Sequence, residues 1–437
     1  MIERDTFYFR VFCVTFWVMG VTPFVLQEIL PFLDFLIIPL RLIADVVLLI
    51  AGLTALEKKS DKILIGLFVL AGIISSVINQ VPTMLWINGF RDYIPFLFAL
   101  PVLRYVVTCK KAELFCRSID RQLKIFLVIQ AFCVTEQFIR YGAGDHGGGS
   151  LGDGFSGVIS ILIILISFYF VQKNWDGENY MRSLWENRLY IFLLFPVFLN
   201  ETKVSFVFLF VYFVILFPFN IRSVGKSLIA APVIALTFYG AYAFYMFATD
   251  SEYDITDSSF YDDYLTGGVD GDDLVDLADM ALEELEAGTD DWLFVDLPRG
   301  IKAGLIFPAL EDSRGGSIIG AGLGHFKGGS VLEKTPFYIE HEAFIAGTRL
   351  ESMLILIPLG IIGLIWYIFW IRYSLMMSIR SSKHALLLKI LLLSVFVVTF
   401  FYNDFYSFIF PCIVFYYLCV RSIYNPSEEQ PAVSSVL

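Results

Sequence analysis

The residues with the clearest capacity for chemistry stand close together: Gly320-Ala321-Gly322-Leu323-Gly324-His325, then Glu340-His341-Glu342, then Arg349-Leu350-Glu351. His341 lies between two acids, just ahead of a strongly apolar segment. An adjacent carboxylate raises imidazole basicity, and an imidazole that is neutral near pH 7 can take a proton from a hydroxyl. The plainer reading of His341 is a solvated surface residue. His325 is a second candidate for the base. Gly-x-Gly-x-Gly lacks the strand and helix context of a dinucleotide site, so a nucleotide is not expected there.

A second set is cationic. Arg41, Arg91, Arg140 and Lys203 all fall at or near the ends of apolar runs. A guanidinium can hold phosphate oxygens bidentately, and burial strengthens the contact, so together they can cradle a pyrophosphate. The alternative is snorkelling at the interface, or pairing with a nearby acid: Arg41 with Asp45, Arg91 with Asp92, Lys203 with Glu201. Arg91 sits in Gly89-Phe90-Arg91-Asp92-Tyr93, where the small glycine leaves space beside the cation. Lys203 sits in Leu199-Asn200-Glu201-Thr202-Lys203, a polar interruption of two apolar runs that calls for a partner.

The elements that must position these residues belong to a membrane. With 57% hydrophobic and 17% aromatic residues and a mean hydropathy of +0.71, 437 residues exceed what a soluble domain can bury. Runs long enough to cross a bilayer core occur near 7–26, 35–56, 63–79, 90–108, 123–140, 155–172, 189–200, 204–218, 228–248, 352–371, 385–402 and 404–420. About twelve helices are therefore expected, since helices alone satisfy the backbone of such runs within lipid. The expected fold class is all-α and polytopic. Residues 1–248 would carry helices one to nine, 249–350 a large acidic loop with short helices, 351–421 helices ten to twelve, and 422–437 a tail.

Charge orients this arrangement. Between Thr249 and Leu350 there are 22 acids against 6 Lys and Arg, while the whole chain has a net charge of −12, so the acidity is local. Such a field disfavours nucleic acid as a partner. With a cytoplasmic N-terminus, 21 basic residues fall on inward segments and four near the short outward turns. The positive-inside rule then places both termini in the cytoplasm and the acidic loop outside. No cleavable signal peptide is evident. The six cysteines avoid the loop and show no zinc spacing. The acids at 267–273 lack an EF-hand pattern, so no metal is expected. Residues 273–287 read as an amphipathic helix, 250–272 as a mobile loop, and Tyr141–Gly154, with seven glycines, as a flexible turn or a place of close ligand approach.

The end of the loop resembles the bacterial O-antigen ligase and O-antigen polymerase superfamily. The shared pattern is carried by Arg299-Gly300-Ile301-Lys302 with the apolar run to Leu310, by Gly320-Ala321-Gly322, by His341-Glu342, and by Glu351 ahead of Leu359-Gly360-Ile361-Ile362-Gly363-Leu364. Thr202-Lys203 would correspond to an upstream cluster that commonly contains Ser-Arg. The resemblance implies a GT-C-like membrane enzyme of the bacterial inner membrane. It would transfer a glycan from undecaprenyl pyrophosphate to a hydroxyl, without cofactor or obligatory metal. A flippase and a chain-length regulator would be its partners, beside the lipid-linked oligosaccharide and the bilayer. On this reading Arg91, Lys203, Arg299 and Arg349 meet the pyrophosphate and His341 is the general base. Glu201, Glu351, His325 and Arg314 would support them, Glu351 by orienting the base, by pairing with Arg349 or by capping its helix. Glu after His341, where Asn or Ser is usual, and Lys203 in place of Arg point toward a repeat-unit polymerase rather than a ligase. Two other classes stay open. A flippase or transporter would need charges through the full membrane depth and internal repeats, of which none is visible. A binding module would use the acidic tip of the loop.

Overall fold

The computed structural model describes residues 3–142, 147–152, 154–174, 180–200, 205, 208–212, 239–240, 243, 299–325, 334–345, 347–376 and 383–421. Among them, every regular element is helical. The N-terminal part comprises α1 (Arg4–Phe24, extended by a π turn to Ile29), α2 (Ile37–Ala55), α3 (Lys59–Ile78), α4 (Thr83–Arg91), α5 (Ile94–Thr108), α6 (Ala112–Tyr141), α7 (Ser156–Lys173), α8 (Tyr180–Glu186), α9 (Arg188–Phe192) and α10 (Phe195–Leu199). The later part comprises α11 (Arg299–Glu311), α12 (Gly316–Ile319), α13 (Pro336–Glu340), α14 (Glu342–Ile345), α15 (Glu351–Met376), α16 (Lys383–Tyr402) and α17 (Ile409–Arg421).

Among the described residues, six helices are long and apolar enough to cross a membrane: Arg4–Ile29, Pro31–Ala55, Lys59–Ile78, Ala112–Tyr141, Ser156–Lys173 and Glu351–Leu375. The other described apolar runs fold as shorter pieces, because polar breaks cut them. Asp92-Tyr93 separates α4 from α5, and Asn403-Asp404 with the 3-10 turn Phe405–Ser407 separates α16 from α17. The expected run near 204–218 is described only at 205 and 208–212 and that near 228–248 only at 239–240 and 243, while the segments 250–272 and 273–287 lie entirely outside the described residues.

Apolarity all round a helix permits either a central or a lipid-facing position, and burial distinguishes them. The apolar window of α7 is 94% buried and that of α2 only 28%, so α7 is central and α2 peripheral. The central layer is α5, α7 and α17. On α3 and α16, Leu67, Leu70 and Ile74, and Leu393, Val397 and Phe401, form exposed apolar faces suited to acyl chains.

Ion pairs define two ends of the bundle. At one end Arg4 meets Glu57, Lys111 meets Glu3, Arg104 meets Asp61 and Lys173 meets Asp120. At the other, Arg140 meets Glu28 and Arg349 meets Asp404. Successive helices α1, α2, α3, α5, α6 and α7 run alternately between them. Arg421 acts on Asp120 and Tyr169, so α17 finishes at the Arg4 end.

The helix α15 is broken at Pro358–Gly360. Pro358 has no N–H to continue the ladder, and Gly360 adopts φ +59°. The carbonyls released by the break need donors, because lipid supplies none. They receive Ala321 N–H on Ile357 O (2.7 Å), Gly322 N–H on Pro358 O (3.1 Å) and the Ser75 hydroxyl on Pro358 O (2.8 Å). Gly320-Ala321-Gly322-Leu323-Gly324 is thus an extended wedge. On its other side Asn79 Nδ2 donates to Gly320 O at 2.8 Å, and Leu323 N–H donates to Ser76 Oγ at 3.0 Å.

The wedge touches α4 backbone to backbone. A methyl group on Gly89 would sit 2.4 Å from Gly324 N, whereas one on Gly66 would meet nothing within 4 Å. Overpacking of this kind costs about 1–3 kcal/mol when backbone must move. Gly89→Ala should therefore lower the thermal midpoint of the detergent-solubilised protein, while Gly66→Ala should leave it unchanged or raise it slightly. Equal midpoints for the two variants would refute the close contact.

Candidate functional site

Three arginines converge at the end opposite Arg4, each delivered by a different break in the helical array. Arg41 is near the start of α2, Arg91 closes α4, and Arg349 precedes α15. Arg91 Nε lies 3.4 Å from Asp45 Oδ2. Arg349 bridges two acids, Asp92 at 3.5 Å and Asp404 at 2.9 Å. Arg41 donates to Ser407 O at 3.3 Å and stands 4.8 Å over the Phe408 ring. The Ser407 hydroxyl in turn donates to Asp404 Oδ2 at 3.1 Å. The charges of Asp92, Asp45, Arg91 and Arg349 all act on Arg41, so the three cations share one field.

This pairing differs from the neighbouring-residue pairs anticipated from sequence. Arg91 does not pair with Asp92, because side chains at i and i+1 on a helix do not face each other. Asp45 engages Arg91 from across the bundle, and Arg41 turns to the α16–α17 connection instead. Asp404 escaped sequence reading, although its polar setting in Asn403-Asp404 between two apolar runs was a visible signal.

The acids lie deeper than the arginines they hold. Asp45 and Asp92 side chains are 3% exposed, against 27% for Arg91 and 24% for Arg349. A guanidinium presents five N–H donors in a planar fork, so buried carboxylates on one side can fix it while its outer edge stays open. Burial alone would lower the Arg349 pKa, but Asp404 and Asp92 hold it above its ordinary value.

Glu351, 2% exposed, accepts from Tyr406 N–H at 3.4 Å. It thus tethers the α16–α17 turn to α15, and among the described residues it makes no ion pair with Arg349.

Two links bring α11 to this cluster. Arg299 donates through Nε to Tyr402 O at 3.0 Å and stacks over that ring at 4.6 Å, two residues before Asp404. Lys302, fully buried, donates to Thr348 O at 3.0 Å, next to Arg349. Lys302 was not singled out as a site residue, and its burial is invisible from a lone cation in an amphipathic run. Arg314 is exposed on the turn after α11. Lys203 and Glu201 lie outside the described residues.

The histidines form a separate group around α13. His325 Nδ1 is 2.7 Å from Thr335 Oγ1, which accepts Tyr338 N–H at 3.1 Å as the cap of α13. Because that oxygen already accepts, its own proton is free to point at the imidazole, giving a neutral ring with Nδ1 as acceptor. Phe337 separates the two rings, at 5.2 Å from His325 and 4.6 Å from His341. His341 Nε2 lies 3.7 Å from Asp312 Oδ2. Burial lowers the His341 pKa, and Glu340 and Asp312 pull it partly back. Burial drives that of His325 to about 4, against a small opposing contribution from Ala321. His341 and Arg349 thus answer to different acids. Tyr338 on α13 senses both Glu342 and Arg349 and lies between the two groups.

The glycine-rich turn is firmer than flexibility would give. Gly149 N–H donates to Gln137 Oε1 and Ser150 N–H to Gln130 Oε1, both at 2.8 Å, so residues 147–152 are buried against α6. Among the described residues, no three His, Cys, Asp or Glu side chains are grouped to hold a metal. No family model, curated protein or solved structure matches the chain.

His325 carries a pH dependence. Its folded pKa of about 4 lies below the ordinary 6.5, so protons bind the unfolded chain more tightly. Its contribution to stability is present above pH 6.5 and is lost as pH falls from 6.5 through 4. His325→Gln should flatten the thermal midpoint against pH in that window. An unchanged slope would show that His325 is not the titrating group.

Proposed function

We propose that the chain is a polysaccharide repeat-unit polymerase that uses a glycan linked to undecaprenyl pyrophosphate. The observation that carries this reading is the convergence of Arg41, Arg91 and Arg349 on one rim, Arg91 and Arg349 being held by the buried carboxylates of Asp45 and Asp92. A diphosphate needs cations that are oriented and not fully solvated. The resemblance of Arg299, Gly320-Ala321-Gly322, His341-Glu342 and Glu351 to the O-antigen polymerase pattern supports the same reading.

In the proposed step an acceptor sugar hydroxyl attacks the anomeric carbon of the donor, and the bond from that carbon to the pyrophosphate oxygen breaks with inversion. The electron pair leaves on undecaprenyl pyrophosphate, where Arg91, Arg349, Arg41 and Arg299 offset the developing charge; Lys203, assigned to the same group by the resemblance, lies outside the described residues. His341 takes the hydroxyl proton. Its lowered pKa keeps it neutral at pH 7 and ready to accept. Asp45, Asp92 and Asp404 act as positioning residues.

In this proposal the chain is a multi-pass protein of the bacterial cytoplasmic membrane with about twelve spans. Both termini are cytoplasmic, and residues 249–350 lie outside. The alternation of helices between the Arg4 and Arg349 ends supports that topology. The broken α15 is the one feature that favours a transporter, since discontinuous helices bind ions there. Here, among the described residues, the Ile357 and Pro358 carbonyls already accept from Ala321, Gly322 and Ser75, which weighs against an ion at the break.

Complementation of a deletion strain, read as surface glycan chain length, tests the reading. His341→Ala should cut polymer formation by about 100-fold or more, and Arg91→Lys, which keeps charge but loses the planar fork, should shorten chains at normal protein level. Full-length polymer from both variants would overturn the assignment. In vitro, activity should persist from pH 8 down to 6.5 and fall only below it, as His341 protonates. Asp312→Asn should move that fall to lower pH, because Asp312 raises the His341 pKa.

A further inference from the structure

A groove runs down the outside of the bundle between α3 and α15, beginning at the Arg4 end, far from the arginine rim. Its mouth is a cavity of about 570 Å³ lined by Lys58, Ser60, Ile63, Leu64, Tyr373 and Arg372, with Phe369 at its floor. Leu64 and Phe369 also line a second cavity of about 370 Å³, walled by Leu67, Leu70, Ile74, Leu359, Ile362 and Ile365. The two therefore adjoin along α3 and α15, with those side chains common to both walls. From Arg372 to Leu359 the groove extends roughly 20 Å at 1.5 Å per helical residue, more than the ~15 Å half-thickness of a bilayer core.

The two parts differ in chemistry. The long part is apolar, with Leu67, Leu70 and Ile365 about half exposed, and water is a poor occupant for it. The mouth is cationic. Asp61 is engaged by Arg104 at 2.5 Å and by the Tyr373 hydroxyl at 2.7 Å, which leaves Lys58 and Arg372 as net positive charge. Among the described residues neither of them has a carboxylate within ion-pair distance. Partial burial and then the charge of Arg104 lower the Lys58 pKa, with Asp61 opposing, so an anion at the mouth would relieve existing repulsion.

We infer that this groove is a binding site for an anionic diacyl phospholipid, its phosphate between Lys58 and Arg372 and one acyl chain lying between α3 and α15. Basic pockets between membrane helices recognise acidic headgroups by this combination of charge and apolar wall. The tail would rest on Leu359, beside the break at Gly360, where the glycine wedge also packs. The inference does not depend on the proposed enzymatic reaction.

Native mass spectrometry of the full chain from nanodiscs tests it, with phosphatidylglycerol and phosphatidylcholine as probes. Phosphatidylglycerol should remain bound, and the double variant Lys58→Gln, Arg372→Gln should weaken its binding by about thirtyfold, at ~1 kcal/mol per surface cation. Lys59→Gln, one residue from Lys58 and outside the groove lining, should retain wild-type occupancy. Leu67→Trp with Ile365→Trp should also displace the lipid, because the ring fills the tail channel while the cations remain. Circular dichroism in phosphatidylcholine discs confirms that each variant is folded. Equal retention of phosphatidylcholine, unchanged occupancy in the double glutamine variant, or displacement of the lipid by millimolar inorganic phosphate alone would each overturn the site. A mass of two chains with no lipid would assign the groove to a second copy instead.

Discussion

The bridge from Arg349 to Asp92 and Asp404 is the interaction on which the rest of this end of the bundle depends. It joins the α4–α5 junction, the entry to α15 and the α16–α17 turn through one side chain. A charge so little exposed in an apolar bundle is tolerable only when paired, and losing one partner of such a pair typically costs about 3–5 kcal/mol. Each of the three breaks therefore has a reason to fall where it does. The helices must stop so that Asp92, Arg349 and Asp404 can meet, and Glu351 and Lys302 add backbone tethers on either side of Arg349. Arg41 joins the same arrangement through Ser407, so a fourth element, α2, is registered against it.

A second constraint, backbone satisfaction, explains the glycine wedge. Breaking α15 exposes carbonyls, and the wedge returns donors to them. Two faces of the same segment are used, one toward Pro358 and one toward Ser75, Ser76 and Asn79. Positive φ at Gly320, Gly322 and Gly324 lets the strand pass between α4 and α15 with no side chain in the way. The wedge also fixes His325 at its end, and Thr335 transmits that position to α13 and hence to Phe337 and His341. The order in the histidine group is thus inherited from the repair of a broken helix.

Much of this was legible in the sequence, but at different depths. Span positions such as α1, α2, α3, α6, α7 and α15 follow from hydropathy alone, since lipid leaves the backbone no alternative. Arg91, Arg349 and Glu351 were legible as ions at segment ends. Their partners were not, because Arg349 and Asp92 are separated by 257 residues and nothing local to either residue selects the other. The sequence offers Asp45 as an alternative partner for Arg41, one turn away, but Asp45 serves Arg91. The Gly-x-Gly-x-Gly stretch was recognisable as unusual, but its role requires knowing that Pro358 breaks a helix beside it. Gln130 and Gln137, seven residues apart on one face of α6, could have been read as a ladder, and they convert a glycine-rich turn into a buried one.

The aromatic layer beneath the arginine rim bounds the proposed reaction to one end of the bundle. Phe96, Trp370, Tyr406, Phe396 and Tyr416 are all 2% exposed or less and lie ring against ring under Glu351. Trp370 N–H is spent on the Tyr416 hydroxyl at 2.7 Å, so the layer satisfies part of its polarity internally. Among the described residues, ion pairs lie above it at Arg349 and below it at Asp61–Arg104, with these rings packed between them. A carrier that moves a charged headgroup through this part of the bundle would have to disrupt that packing, which at native density resists continuous deformation. A reaction confined to one rim requires no such opening. The physical asymmetry of the molecule, arginine forks over a buried aromatic floor, therefore fits the proposed surface reaction better than passage through the interior.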